Sequence, residues 1–119
     1  MNKLVLQVPS RITLFRTQSN EDESPFDIVI YNNSKKNIEK LELLVESGGD
    51  IVVSVNKNRE NTANSSGTFS LKSNGRRFYN PEVEVLESAK SISTLKVILL
   101  VDKRKIIEKQ MLVQIWEGF

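Results

Sequence analysis

Ile92-Ser-Thr-Leu-Lys-Val-Ile-Leu-Leu-Val101 and Lys105-Ile-Ile-Glu-Lys-Gln-Met-Leu-Val-Gln-Ile-Trp116 are joined by Asp102-Lys103-Arg104. Both stretches alternate with a period of two, and the joint is short and polar, so they read as one long β-hairpin. In the first strand Leu95, Val97, Leu99 and Val101 form one row, while Ile98 and Leu100 form the opposite row beside Lys96. In the second, Ile107, Met111, Val113 and Ile115 form one row, and Leu112 and Trp116 lie on the other with Gln110 and Gln114. Each strand of a sandwich needs one buried row. The second apolar row is surplus.

The rest of the chain follows the same period. Phe26, Ile28 and Ile30 alternate with Asp27, Val29 and Tyr31; Leu41, Leu43 and Val45 with Glu42, Leu44 and Glu46. Ile51, Val53 and Val55, then Phe69 and Leu71, then Val83 and Val85 repeat the pattern. Ile38, Leu41, Leu44 and Val45 also fit a helical stripe, but Gly48-Gly49-Asp50 follows them as a hairpin turn and favours strands. Ser73-Asn74-Gly75 is a further turn, 56–67 reads as a long polar loop, and Phe78 to Leu86 reads as one full strand. The expected architecture is all-β, an antiparallel two-sheet sandwich of seven to nine strands, with residues 1–119 as one domain. Its core is expected to hold Leu14, Phe26, Ile28, Ile30, Leu41, Leu43, Val53, Phe69, Leu71, Val83, Val85, Leu95, Val97, Leu99, Val113 and Ile115.

The stretch from Phe26 to Glu46 has a strand ending in Asn32, a short polar loop and a second alternating strand. It resembles the strand pair of immunoglobulin-like domains of the cell-adhesion-related (CARDB) type and of adaptor-protein ear domains. That resemblance covers roughly a fifth of the chain and carries no functional residue of those families. It implies an immunoglobulin-like sandwich that binds peptides, partner proteins or copies of itself.

Composition excludes most chemistry. The chain has no Cys and no His, so thiolate nucleophiles, disulfides, Cys- or His-based zinc sites and the usual serine triad cannot be built. Glu21-Asp22-Glu23 lacks the alternating carboxylates of an EF-hand loop and reads as a solvated acidic loop. Glu82 with Glu84, and Glu42 with Glu46, are rows on single strands, not carboxylates facing across a cleft. Gly48-Gly49 has no Lys-Ser/Thr after it and makes no phosphate cradle. The expectation is a protein without catalytic residues, cofactor or metal.

Binding remains. Leu44, Ile98, Leu100, Leu112 and Trp116 share an outward phase and are expected to form an apolar interface on the outer face of one sheet, for a protein partner or a second copy. The segment Leu4 to Phe15 is the element that would cover it otherwise. A second candidate is anion binding through Lys35, Lys36, Lys57, Arg59, Lys103, Arg104 and Lys105, which gather at one pole only if Phe78 to Leu86 is not a full strand. The net charge of +2 argues against nucleic acid, and Tyr79 beside Arg76 and Arg77 is the one hint of a stacking site. No apolar run approaches a membrane span, and Leu4-Val5-Leu6 is too short for a signal core, so a cytoplasmic location is expected. The alternative is an exported envelope or appendage domain with a signal or anchor upstream of Met1; the sequons Asn32-Asn33-Ser34 and Asn64-Ser65-Ser66 are weak support for it.

Overall fold

The computed structural model describes residues 3–15, 25–48, 51–55, 64–86 and 90–116. The hairpin is formed by β9 (Ile92–Val101) and β10 (Arg104–Trp116), antiparallel along their length. Asp102 and Lys103 both take positive φ, 51° and 65°. A two-residue turn of this hand matches the twist of the flanking strands but disfavours non-glycine residues. The long apolar rows hold the turn in place.

Eight further strands precede the hairpin: β1 (Leu4–Gln7), β2 (Arg11–Phe15), β3 (Ile28–Asn32), β4 (Ile38–Ser47), β5 (Ile51–Ser54), β6 (Ser65–Leu71), β7 (Arg76–Tyr79) and β8 (Glu82–Val85). They form a five-stranded sheet of order β2-β10-β9-β4-β6, a three-stranded sheet β1-β3-β7 and a two-stranded ladder β5-β8. The inward rows of all three meet in one core. Every expected core residue is buried except Val85, which packs half-buried against the core; Leu4, Leu6, Ile12, Val45, Ile51, Val55 and Met111 join them. The β2–β10 ladder is parallel.

The architecture is the expected all-β immunoglobulin-like sandwich, with ten strands because the chain changes sheet more often than its alternation suggests. Pro9 and Ser10 divide the N-terminal segment into β1, at the edge of one sheet, and β2, at the edge of the other. Two local expectations are corrected. β4 and β5 do not form the hairpin expected around Gly48-Gly49-Asp50, of which Gly49 and Asp50 lie outside the described residues: β4 has β9 and β6 on its two edges, and β5 pairs with β8. Phe78 to Leu86 is not one strand: it breaks at Asn80-Pro81, where proline offers no ladder N–H, and β7 pairs with β3 while β8 pairs with β5. The polar segment 56–67 also ends earlier than expected. Ser65 and Ser66 are buried in β6, and Ser66 Oγ accepts the Leu43 N–H at 2.9 Å. Hydroxyl groups there stand in for ladder partners beside Gly67, whose φ is 72°, so no apolar alternation marks the strand.

One buried polar residue pins the end of the sandwich that matters below. Asn32 is fully buried at the end of β3. Its side-chain amide donates toward the carbonyls of Lys36 at 2.9 Å and of Leu71 and Lys72 at 3.1 Å. Its backbone N–H donates to Gly75 O, and its carbonyl accepts from the Asn74 N–H. Ser34 Oγ donates to Asn32 Oδ1 at 2.6 Å, and the Ser73 N–H donates to Asn37 Oδ1 at 3.0 Å. Loop 33–37 and turn 72–75 are thus one hydrogen-bonded unit. At Gly75 a Cβ would stand 2.9 Å from the Lys72 carbonyl oxygen, so the turn needs glycine.

Candidate functional site

The outer face of the five-stranded sheet carries the surplus apolar row. Leu44 lies opposite Ile98 in the register, and Leu100 lies between Glu42 and Lys105. Ile98 is only 7% exposed although it stands outside the core. Leu44 on one side and Glu108 on the other flank it across the sheet. Leu44, Ile98 and Leu100 form a mid-sheet cluster shielded largely by its own neighbours.

Leu112 and Trp116 are not part of that cluster. Leu112 pairs with Thr94 and Arg11, and it lies four residues along β10 from Glu108, the partner of Ile98. That is a separation of about 13 Å. The five expected interface residues therefore fall into two groups. The second group gains two members that sequence reasoning missed. Phe15 pairs with Trp116 across β2 and β10, with ring centroids 6.4 Å apart and planes at 69°. Ile92 lies opposite Gln114 and in phase with Ile98. Trp116 is 53% exposed, Phe15 38% and Ile92 61%. Thr13, Thr94 and Gln114 lie among them on this face, and the exposed cations Arg11, opposite Leu112, and Lys96, opposite Gln110, stand on the side toward the mid-sheet cluster. The N-terminal strands lie at sheet edges, and β2 supplies Phe15 to this aromatic end instead of covering it.

The basic residues gather differently. The Asp102 N–H donates to Lys40 O at 2.9 Å and Leu41 lies opposite Val101, so the tip of the hairpin adjoins the start of β4. Lys103, Arg104 and Lys105 thereby share an end with Lys35 and Lys36 of loop 33–37. The first residues of β6 lie beside Leu44, toward the opposite end, and Lys57 and Arg59 lie outside the described residues. At the basic end a groove of about 990 Å³ opens between β1 and the start of β10. Leu4, Ile38, Val101 and Ile106 line it, with Lys3, Lys35 and Lys36 around them.

The other sequence signals are used structurally. Arg77 stacks over Phe69 and Tyr79 at 4.9 and 5.3 Å and donates from Nε to the Tyr79 hydroxyl at 2.7 Å. Tyr79 meets Phe69 edge-on at 5.8 Å and caps the core, so it is no free stacking platform. Asn32, the acceptor of the first sequon, is buried and fully bonded. Phe78, in contrast, faces outward at the edge of the three-stranded sheet beside Val29, a position its neighbours in the sequence did not disclose. Glu42 accepts from Ser65 Oγ at 2.7 Å. Among the described residues no group of three or more acidic side chains is placed to hold a metal ion, and Glu21-Asp22-Glu23 lies outside them. No helix among the described residues is long and apolar enough to cross a membrane.

No protein-family model and no curated protein matches this chain. Solved structures do. The FixG-related protein of Vibrio parahaemolyticus is similar over 96% of this chain and 97% of its own, with a TM-score of 0.62 and 11% identity. The YadV chaperone is similar over 98% of this chain and 52% of its own, with a TM-score of 0.54 and 8% identity, so the chain spans about half of that protein. A PapD-like domain of human CEP192 is similar over 98% of this chain and 87% of its own, at 14% identity and a TM-score of 0.49. At identities this low, likeness in structure bears on the fold alone, an immunoglobulin-like sandwich, and leaves function to the surface.

Proposed function

We propose that this protein is a non-catalytic interaction module that associates with a second copy of itself through the aromatic end of its five-stranded sheet. The observation that carries this reading is the pair Phe15 and Trp116, stacked edge-to-face yet 38% and 53% exposed. Tryptophan is enriched in binding hot spots, and an exposed aromatic cluster of this kind marks an interface. Thr13, Thr94 and Gln114 keep the immediate surroundings of Phe15, Ile92 and Trp116 uncharged, and a two-fold contact centred on the aromatic pair leaves Arg11 and Lys96 at its rim. The absence of Cys and His from the chain agrees with a binding role, as does the chaperone among the similar folds. The finer kinship with CARDB or adaptor-ear domains belongs to the same proposal, since both imply association with proteins.

Trp116 is the one tryptophan of the chain, so its fluorescence reports the face directly. On raising the protein concentration its emission shifts to shorter wavelength as the indole leaves water. An emission maximum that stays constant over the concentration range in which the mass rises places the contact elsewhere.

A further inference from the structure

β10 has two edges, and only part of the second is occupied. β9 pairs with it from Arg104 to Gln114, whereas β2 pairs only from Leu112 to Trp116. The Leu112 N–H donates to Ser10 O on the β2 side. Side alternates residue by residue in an antiparallel strand, so Gln110 and Glu108 turn their backbone N–H and C=O toward the same edge. Among the described residues no strand pairs with them there. Exposed strand edges of this kind template the addition of another strand.

The groove opens beside that edge. The β10 register shifts between Lys105 and Ile107, which makes Ile106 an extra residue with its side chain at the groove, 37% exposed. Ile38, Val101 and Ile107 pack on the core there but stay only partly buried. The sandwich is therefore unsealed at this end, with an apolar floor and an open backbone edge side by side. The charge of the groove is one-sided: Lys3, Lys35 and Lys36 line it with no carboxylate among its lining residues, while on the strand Lys105 pairs with Glu108 at 3.3 Å and Lys109 stands beside them.

The geometry points to this edge as a site for β-strand addition by an extended segment of a partner protein that alternates apolar with acidic residues. Backbone bonds to Glu108 and Gln110 supply affinity, the apolar positions enter over Ile106 and Val101, and the acidic ones meet the lysines. A second copy fits poorly, because pairing two such strands would bring lysine against lysine.

The test is fluorescence anisotropy with a labelled peptide of about eight residues alternating valine with glutamate. Comparison peptides alternate valine with lysine or consist of glutamate alone. The valine-glutamate peptide binds, and its affinity falls at least about tenfold (roughly 1.4 kcal/mol) in Ile106→Asp, in the pair Lys35→Glu and Lys36→Glu, and in Gln110→Pro. Trp116→Ala leaves it unchanged, which separates this site from the aromatic face. Ile106 is exposed, so Ile106→Asp decides the question if Gln110→Pro does not fold. Equal binding of the glutamate-only peptide, equal binding of the lysine peptide, no binding at low salt, or an unaffected Ile106→Asp would each overturn the proposal.

Discussion

The two halves of β10 belong to one strand and face opposite fates. From Leu112 to Gln114 both edges are paired and β2 continues to Trp116, Val113 and Ile115 are buried, and the outward row ends in an aromatic pair. From Arg104 to Gln110 one edge is open, the register slips, and the side chains are charged or half-exposed. The difference comes from β2, which is long enough to cover only the second half. Closure of the edge makes the Trp116 half a rigid face suited to side-chain contact. Its absence makes the Arg104 half suited to backbone pairing.

The comparison breaks most completely if β2 is released. Leu14 is the buried anchor of β2, and Leu14→Ala costs about 2–5 kcal/mol in chemical denaturation. It also raises amide exchange at Leu112 and the residues after it, whose ladder partner loosens. Next comes the loop beside the groove. Asn32→Ala removes the buried side-chain donor to the Leu71 carbonyl, and with it the bonds to Lys36 and Lys72, and costs about 1–3 kcal/mol, read in the same experiment. Trp116→Ala acts on association instead: a loss of about 2 kcal/mol weakens it roughly 30-fold, with the denaturation midpoint nearly unmoved. The smallest effect is stabilising. Asn-Gly in place of Asp102-Lys103 suits the positive φ of both positions and adds about 0.5–1 kcal/mol, measured as a rise in melting temperature.

How far the sequence reveals these features depends on which physics sets them. Alternation identifies the strands and nearly all the core, because burial of one face imposes it: Leu41, Leu43, Leu95, Val97 and Leu99 are all fully buried. Sheet switching at Pro9 and at Asn80-Pro81 is less legible, since a break in pairing leaves the alternation on either side intact. The outward phase of Leu44, Ile98, Leu100, Leu112 and Trp116 is readable, but their division into two groups depends on register, which alternation alone does not set. Ile92 shares the parity of Ile98 and was open to the same reading. Phe15 was not, because its place beside Trp116 follows from a parallel pairing between residues far apart in the chain. The groove depends on a bulge at Ile106 and on the extent of β2, and neither carries a mark in the local sequence.

The most direct test of the aromatic face is the molar mass by light scattering over a concentration series, in low and in high salt, for the wild type and for Trp116→Ala. The account predicts that the wild type rises above its 13.6 kDa chain mass and stays associated in high salt. Trp116→Ala should remain at that mass and melt where the dilute, dissociated wild type melts. A wild type that stays at 13.6 kDa throughout, or a Trp116→Ala variant that melts early with no change in mass, would contradict it.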